Sequence, residues 1–164
     1  MRKILTSVIA ASLAIGLAGC SGQEGKANNP PPQEEGKNTI KKSTYPFPKN
    51  PVQTGKARLV LSTQDGDSSK GNAAVLNVKK TDIVDQLGTY YTNFDGRLLT
   101  FLYINQTFAS TEQVTGDTQS FVNLSGDDLK PGTYTVTAVQ FKENDPTNKI
   151  INLTQAKYRI KAGN

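Results

Sequence analysis

Histidine is absent from this 164-residue sequence, and Cys20 is its only cysteine. No Ser-His-Asp or Cys-His arrangement can therefore be assembled, and no histidine cluster exists to hold zinc. A pair of carboxylates remains as a route to glycosidic cleavage, but that chemistry needs a long cleft lined with aromatic side chains. A chain of this length has few residues left to build one. These exclusions point to a non-catalytic protein without a cofactor.

Two further clusters have residue types suited to binding. Asp65-Gly66-Asp67-Ser68-Ser69, followed by Gly71 and Asn72, concentrates oxygen ligands as calcium loops do. It lacks a glutamate at the closing position, so an ordinary polar turn is the favoured reading and Asp65 with Asp67 the calcium alternative. Tyr90, Tyr91 and Phe94 run into the turn-like Asn93-Phe94-Asp95-Gly96-Arg97. On an exposed loop these three rings would form a ligand patch for sugar or peptide; tucked inward they would cover an end of the core, which is the favoured alternative.

The chemistry expected of Cys20 depends on what precedes it. Arg2 and Lys3 give a positive start, and residues 4–18 carry no charge. That run is the length of a signal-peptide core and short for a membrane-spanning helix. Leu17-Ala18-Gly19-Cys20 resembles the lipobox of bacterial lipoproteins. The resemblance implies cleavage after residue 19, a diacylglycerol on the Cys20 sulfur, and a further acyl chain such as palmitate on its nitrogen. Two or three chains would make a stable membrane anchor, because each buried methylene contributes about 0.8 kcal/mol and one chain alone holds only marginally. The expected address is the outer face of the bacterial cell membrane or, in a Gram-negative cell, the outer membrane. With Cys20 acylated, no disulfide is available and the core must be held by packing.

The formal charge of +5 falls to +3 once Arg2 and Lys3 are removed, and residues 56–164 carry 12 basic against 11 acidic side chains. A nearly neutral domain has no nucleic-acid signature. Between Cys20 and residue 55 the chain is rich in Gly, Pro, Asn, Glu and Lys, with too little apolar surface to offset the entropy of ordering. This is a linker expected to be disordered, about 30 to 35 Å in average reach. Its aromatic segment Tyr45-Pro46-Phe47-Pro48 is expected to lie along the first strand or to cover an open end of the domain, the alternative being a recognition peptide.

From residue 56 onward, short apolar runs separated by turn residues give seven candidate strands, at 58–63, 73–79, 98–104, 107–114, 119–124, 133–141 and 150–160. The last two change phase midway, which predicts a β-bulge in each. Residues 81–88 predict one short helix or turn, with Asp82 as its cap and Gly88 as its stop. Asp128-Leu129-Lys130-Pro131-Gly132-Thr133-Tyr134 resembles the corner before the sixth strand of immunoglobulin-like and fibronectin type III sandwiches. The resemblance implies a structural tyrosine corner at Tyr134 and an all-β, seven-stranded immunoglobulin-like sandwich over residues 56–164. Tryptophan is absent, so Phe101, Tyr103, Phe121 or Phe141 must supply the bulk of the core. The organisation reads as a signal peptide at 1–19, the lipidated linker at 20–55, and a domain that binds an envelope or surface protein. The alternative is a carbohydrate or small-ligand module.

Overall fold

The computed structural model describes residues 45–163. The signal segment, Cys20 and the linker as far as residue 44 lie outside the described residues. Nine strands form two facing sheets: β1 (Arg58–Thr63), β2 (Gly66–Asp67), β3 (Ala74–Val78), β4 (Val84–Phe94), β5 (Leu99–Ile104), β6 (Thr107–Gln113), β7 (Gly116–Ser125), β8 (Gly132–Phe141) and β9 (Ile150–Ala162). One sheet has the order β2-β1-β4-β7 and the other β3-β9-β8-β5-β6. All pairings are antiparallel except β3 with β9. The protein is an all-β sandwich of the immunoglobulin-like kind. Among the described residues, no helix is long and apolar enough to cross a membrane.

The core between the sheets follows from strict alternation. Leu59 and Leu61 of β1, Leu87 and Tyr91 of β4, and Val122 and Leu124 of β7 meet Leu102 and Ile104 of β5, Val136 and Ala138 of β8, and Tyr158 and Ile160 of β9. Each full burial of such a side chain stabilises the fold by about 1.5–3 kcal/mol relative to exposure.

Three expectations from the sequence are corrected. Among the described residues the sandwich has nine strands instead of seven. Residues 81–88 are no helix: the turn is confined to residues 79–82, where the Asp82 N–H donates to the Lys79 carbonyl at 3.0 Å and the Asp82 carboxylate accepts from the Lys79 N–H at 2.9 Å, and β4 begins at Val84 and becomes an inner strand of the smaller sheet, pairing β1 on one side and β7 on the other. The apolar spacing of Ile83, Val84 and Leu87 looks helical only because Ile83 and Val84 are exposed, at 83% and 56%, and take no part in the core.

The phase change in β8 is not a bulge. Val136 and Ala138 face the sandwich interior, whereas Val139 and Phe141 belong to a second cluster with Phe101, Tyr103 and Leu153. That cluster lies on the outer face of the larger sheet, so β8 is buried on both faces. In β9 the phase change at Leu153 has the same cause. A single register shift does occur at the start of β9, where Phe141 pairs Ile150 and Gln140 pairs Asn152, leaving Ile151 as the extra residue.

Residues 45–54 cover this second cluster as a strap. Thr54 pairs with Leu153 through two backbone hydrogen bonds of 3.0 and 2.9 Å. Phe47 meets Tyr103 edge to face at 5.2 Å, and Tyr45 meets Phe101 at 5.3 Å and Phe108 at 4.8 Å. The Tyr103 hydroxyl donates to the Pro46 carbonyl at 3.2 Å, and burial pushes that phenol up to about 12. The packed region thus includes Tyr45, ahead of the boundary expected at residue 56.

Candidate functional site

The three aromatic residues Tyr90, Tyr91 and Phe94 are all strand residues of β4, and alternation separates them. Tyr91 is fully buried and meets Phe94 edge to face at 5.4 Å, both within the core. Asn93, with φ of 59°, sits where the β4–β7 register breaks, which returns Phe94 to the inner face. Tyr90 points the other way and is paired with Val60 on the outer face of the smaller sheet. The three rings therefore make no common ligand patch.

Inside the sandwich, Tyr91 lies among Thr89 of its own strand and Glu112 of β6. Burial pushes the Tyr91 phenol up, Thr89 offsets this in part, and the Glu112 carboxylate adds to the rise. The Tyr91 and Thr89 hydroxyls nevertheless have no hydrogen-bond partner of normal geometry. Glu112 is itself raised by burial, an effect partly offset by the hydroxyls of Tyr91 and Ser120.

Asp65 and Asp67 do not converge either. The Asp65 carboxylate accepts from the Asn77 side-chain amide and shares a depression with Asn77, Asp85 and Gln86. Asp67 accepts from the Ser69 backbone N–H at 2.8 Å; the Ser69 hydroxyl first and this N–H second hold its carboxyl below the usual range, and it lines another depression with Arg58 and Tyr90. Among the described residues, no group of three or more Asp, Glu, His or Cys side chains is placed to hold a metal ion.

Tyr134 is the third residue of β8, shortly after the 3-10 turn Gly126–Leu129 that carries the chain from the smaller sheet to the larger. Its hydroxyl lies 2.7 Å from the Asp127 carbonyl oxygen and 2.8 Å from that of Lys130, and its ring stacks on Tyr158 at 4.9 Å. The tyrosine thus ties the crossover to the strand it enters.

What remains open is an edge. Among the described residues no strand pairs the outer side of β7, which is ten residues long. Its sequence, Gly116-Asp117-Thr118-Gln119-Ser120-Phe121-Val122-Asn123-Leu124-Ser125, holds one charge and no lysine or proline. Of the other terminal strands, β2 has two residues and β3 five, while β6 is bulged at Ala109, opposite Leu102 and Tyr103 of β5, and carries the half-buried Glu112. Phe121, opposite Gly88 and 53% exposed, stands on the β7 face turned away from the core. A long, weakly charged edge with an exposed aromatic side chain can pair an incoming strand and hold it by its side chains. Sequence alone could not single out this edge, because with no strand placed at β4 it could not show that β7 lay at the margin.

No family model matches the chain, and no curated protein matches it. Two solved structures of the CARDB domain of PF1109 from Pyrococcus furiosus are similar to this chain. The solution NMR structure is 15% identical with a TM-score of 0.35, covering 66% of this chain and 97% of that one. The crystal structure, described as a complex with di-metal ions, is 15% identical with a TM-score of 0.34 and covers 67% and 93%.

Proposed function

We propose that this chain is a lipid-anchored bacterial cell-envelope protein whose sandwich is a non-catalytic module that binds a protein partner by strand addition at β7. Its support at the membrane is the sequence around Cys20, with the linker as spacer. Its support at the binding surface is the unguarded β7 edge beside Phe121. Backbone hydrogen bonds would supply affinity there, and the side chains flanking the edge would select the partner.

The test has two arms. Cross-linking from native cells should recover one envelope protein with the wild type, and lose it with Phe121→Lys or Gln119→Lys, substitutions that place a charge on the edge. Recovery of the same partner from both variants would rule out β7. Separately, mass spectrometry of the mature protein should find acyl chains on Cys20, and Cys20→Ser should leave the membrane fraction. An unmodified Cys20 would rule out the anchor.

A further inference from the structure

A groove of about 680 Å³ lies between the strap and the turn that joins β8 to β9. We propose that it binds a small amphiphile, an apolar body carrying one carboxylate. This goes beyond the reading of β7, since it concerns a different surface and a different class of ligand.

Apolar side chains line the groove, among them Phe47 of the strap, Phe141 of β8, Ile150 of β9 and Pro146 of the turn, of which Phe141 is buried and the other three are half-buried. Its volume falls within the roughly 300–1,000 Å³ usual for small-molecule sites. The charged side chains lining it are Lys49 from the strap and Lys149 from the turn, both exposed and neither in an ion pair among the described residues. Among the described residues no carboxylate lines the groove. The nearby Asp145 accepts from the Thr147 N–H at 2.8 Å and its hydroxyl at 2.7 Å, so it is committed to its own turn. Two cations beside an apolar trough complement a ligand with one anionic end.

Both walls are held in place without a ligand. The strap is fixed at Thr54 by its pairing with Leu153 and at Phe47 by its packing on Tyr103. The turn is fixed by the Lys142 N–H donating to the Lys149 carbonyl at 2.9 Å and by the Asn148 amide donating to the Lys142 carbonyl at 3.2 Å. A site formed in advance avoids most of the ordering cost of binding.

The probe is dodecanoate, titrated into isotope-labelled chain from position 20 onward carrying Cys20→Ser, so that no acyl chain of the protein competes. Amide shifts should be confined to Phe47, Lys49 and residues 147–150. Lys49→Glu/Lys149→Glu, both surface changes, should keep the wild-type melting temperature, weaken dodecanoate by about tenfold or more, and favour dodecyltrimethylammonium instead. Equal affinity for the anionic and cationic probes, shifts centred on Phe121 and Val84, or no shift at all would overturn the proposal. Shifts at the same residues that grow with protein concentration alone would assign the groove to a second copy of the chain and overturn it as well.

Discussion

Gln140 Oε1 accepts a hydrogen bond from Asn152 Nδ2 at 2.9 Å, directly across the β8–β9 pair, with both side chains buried. The same oxygen accepts from the Asp95 N–H at 3.0 Å. The Gln140 Nε2 group donates to the carbonyls of Asp95 and Leu98 at 2.8 and 3.1 Å and lies 3.2 Å from the Thr100 hydroxyl. One amide thus clamps the 95–98 turn onto the larger sheet with its donors and acceptor occupied. Gln140→Leu would leave the turn's backbone groups unsatisfied in the interior and should cost about 3 kcal/mol. Denaturant unfolding measures this, and a loss within experimental error would show that water replaces the clamp.

Tyr134→Phe keeps the ring stacked on Tyr158 and removes only the hydroxyl shared by the Asp127 and Lys130 carbonyls. The expected loss is about 1–2 kcal/mol. Urea unfolding should show an earlier midpoint with an unchanged slope, because the surface exposed on unfolding stays the same.

Gly55 has φ of 74°, and a side chain there would run into the Asn152 carboxamide and the Ile151 carbonyl oxygen. The strap passes over β9 at this point with no room for a methyl group. Gly55→Ala should destabilise the protein by about 2 kcal/mol through strain and displaced backbone. Hydrogen exchange should locate the damage, with faster exchange at Thr54 and Leu153 and little change in β4 or β7.

A chain beginning at Lys56 should be less stable than one beginning at Tyr45. It loses the cover over Phe101, Tyr103, Val139, Phe141 and Leu153, and should bind a hydrophobic dye that the longer chain does not. Phe47→Ala should reproduce part of this loss, on the order of 2 kcal/mol, below the range for fully buried phenylalanine because Phe47 is only partly covered. Equal melting temperatures for the two chains would mean that the strap adds nothing.

Burial raises Glu112, so the folded state binds its proton more tightly than the unfolded chain does. The sign follows from linkage. The folded state is favoured while both forms are protonated, and this advantage is lost as pH rises through the ordinary carboxylate range and then through the raised one. Glu112→Gln should therefore stabilise the protein at neutral pH relative to wild type, with the gap closing in acid. A gap that stayed constant from acid to neutral pH would assign the effect to packing instead of charge.

Seven strands were legible from local alternation, because one buried face is enough to impose a period of two, and β1 matches its sequence-derived limits residue for residue. Leu129, Pro131, Gly132 and Tyr134 likewise marked the crossover corner, since a turn and its bonded hydroxyl are local chemistry. The Cys20 expectation also belongs to the sequence and lies outside the described residues. Strand β4 was hidden because its inner face places Thr89 between Leu87 and Tyr91, while the exposed Ile83 and Val84 imitate a helical stripe. Only the tertiary structure decided that Val139, Phe141 and Leu153 have a second layer above them, that Tyr90 and Tyr91 face opposite ways, and that β7 ends its sheet. Alternation reports that a side chain is buried, but the identity of the element burying it is a long-range pairing that no local period contains.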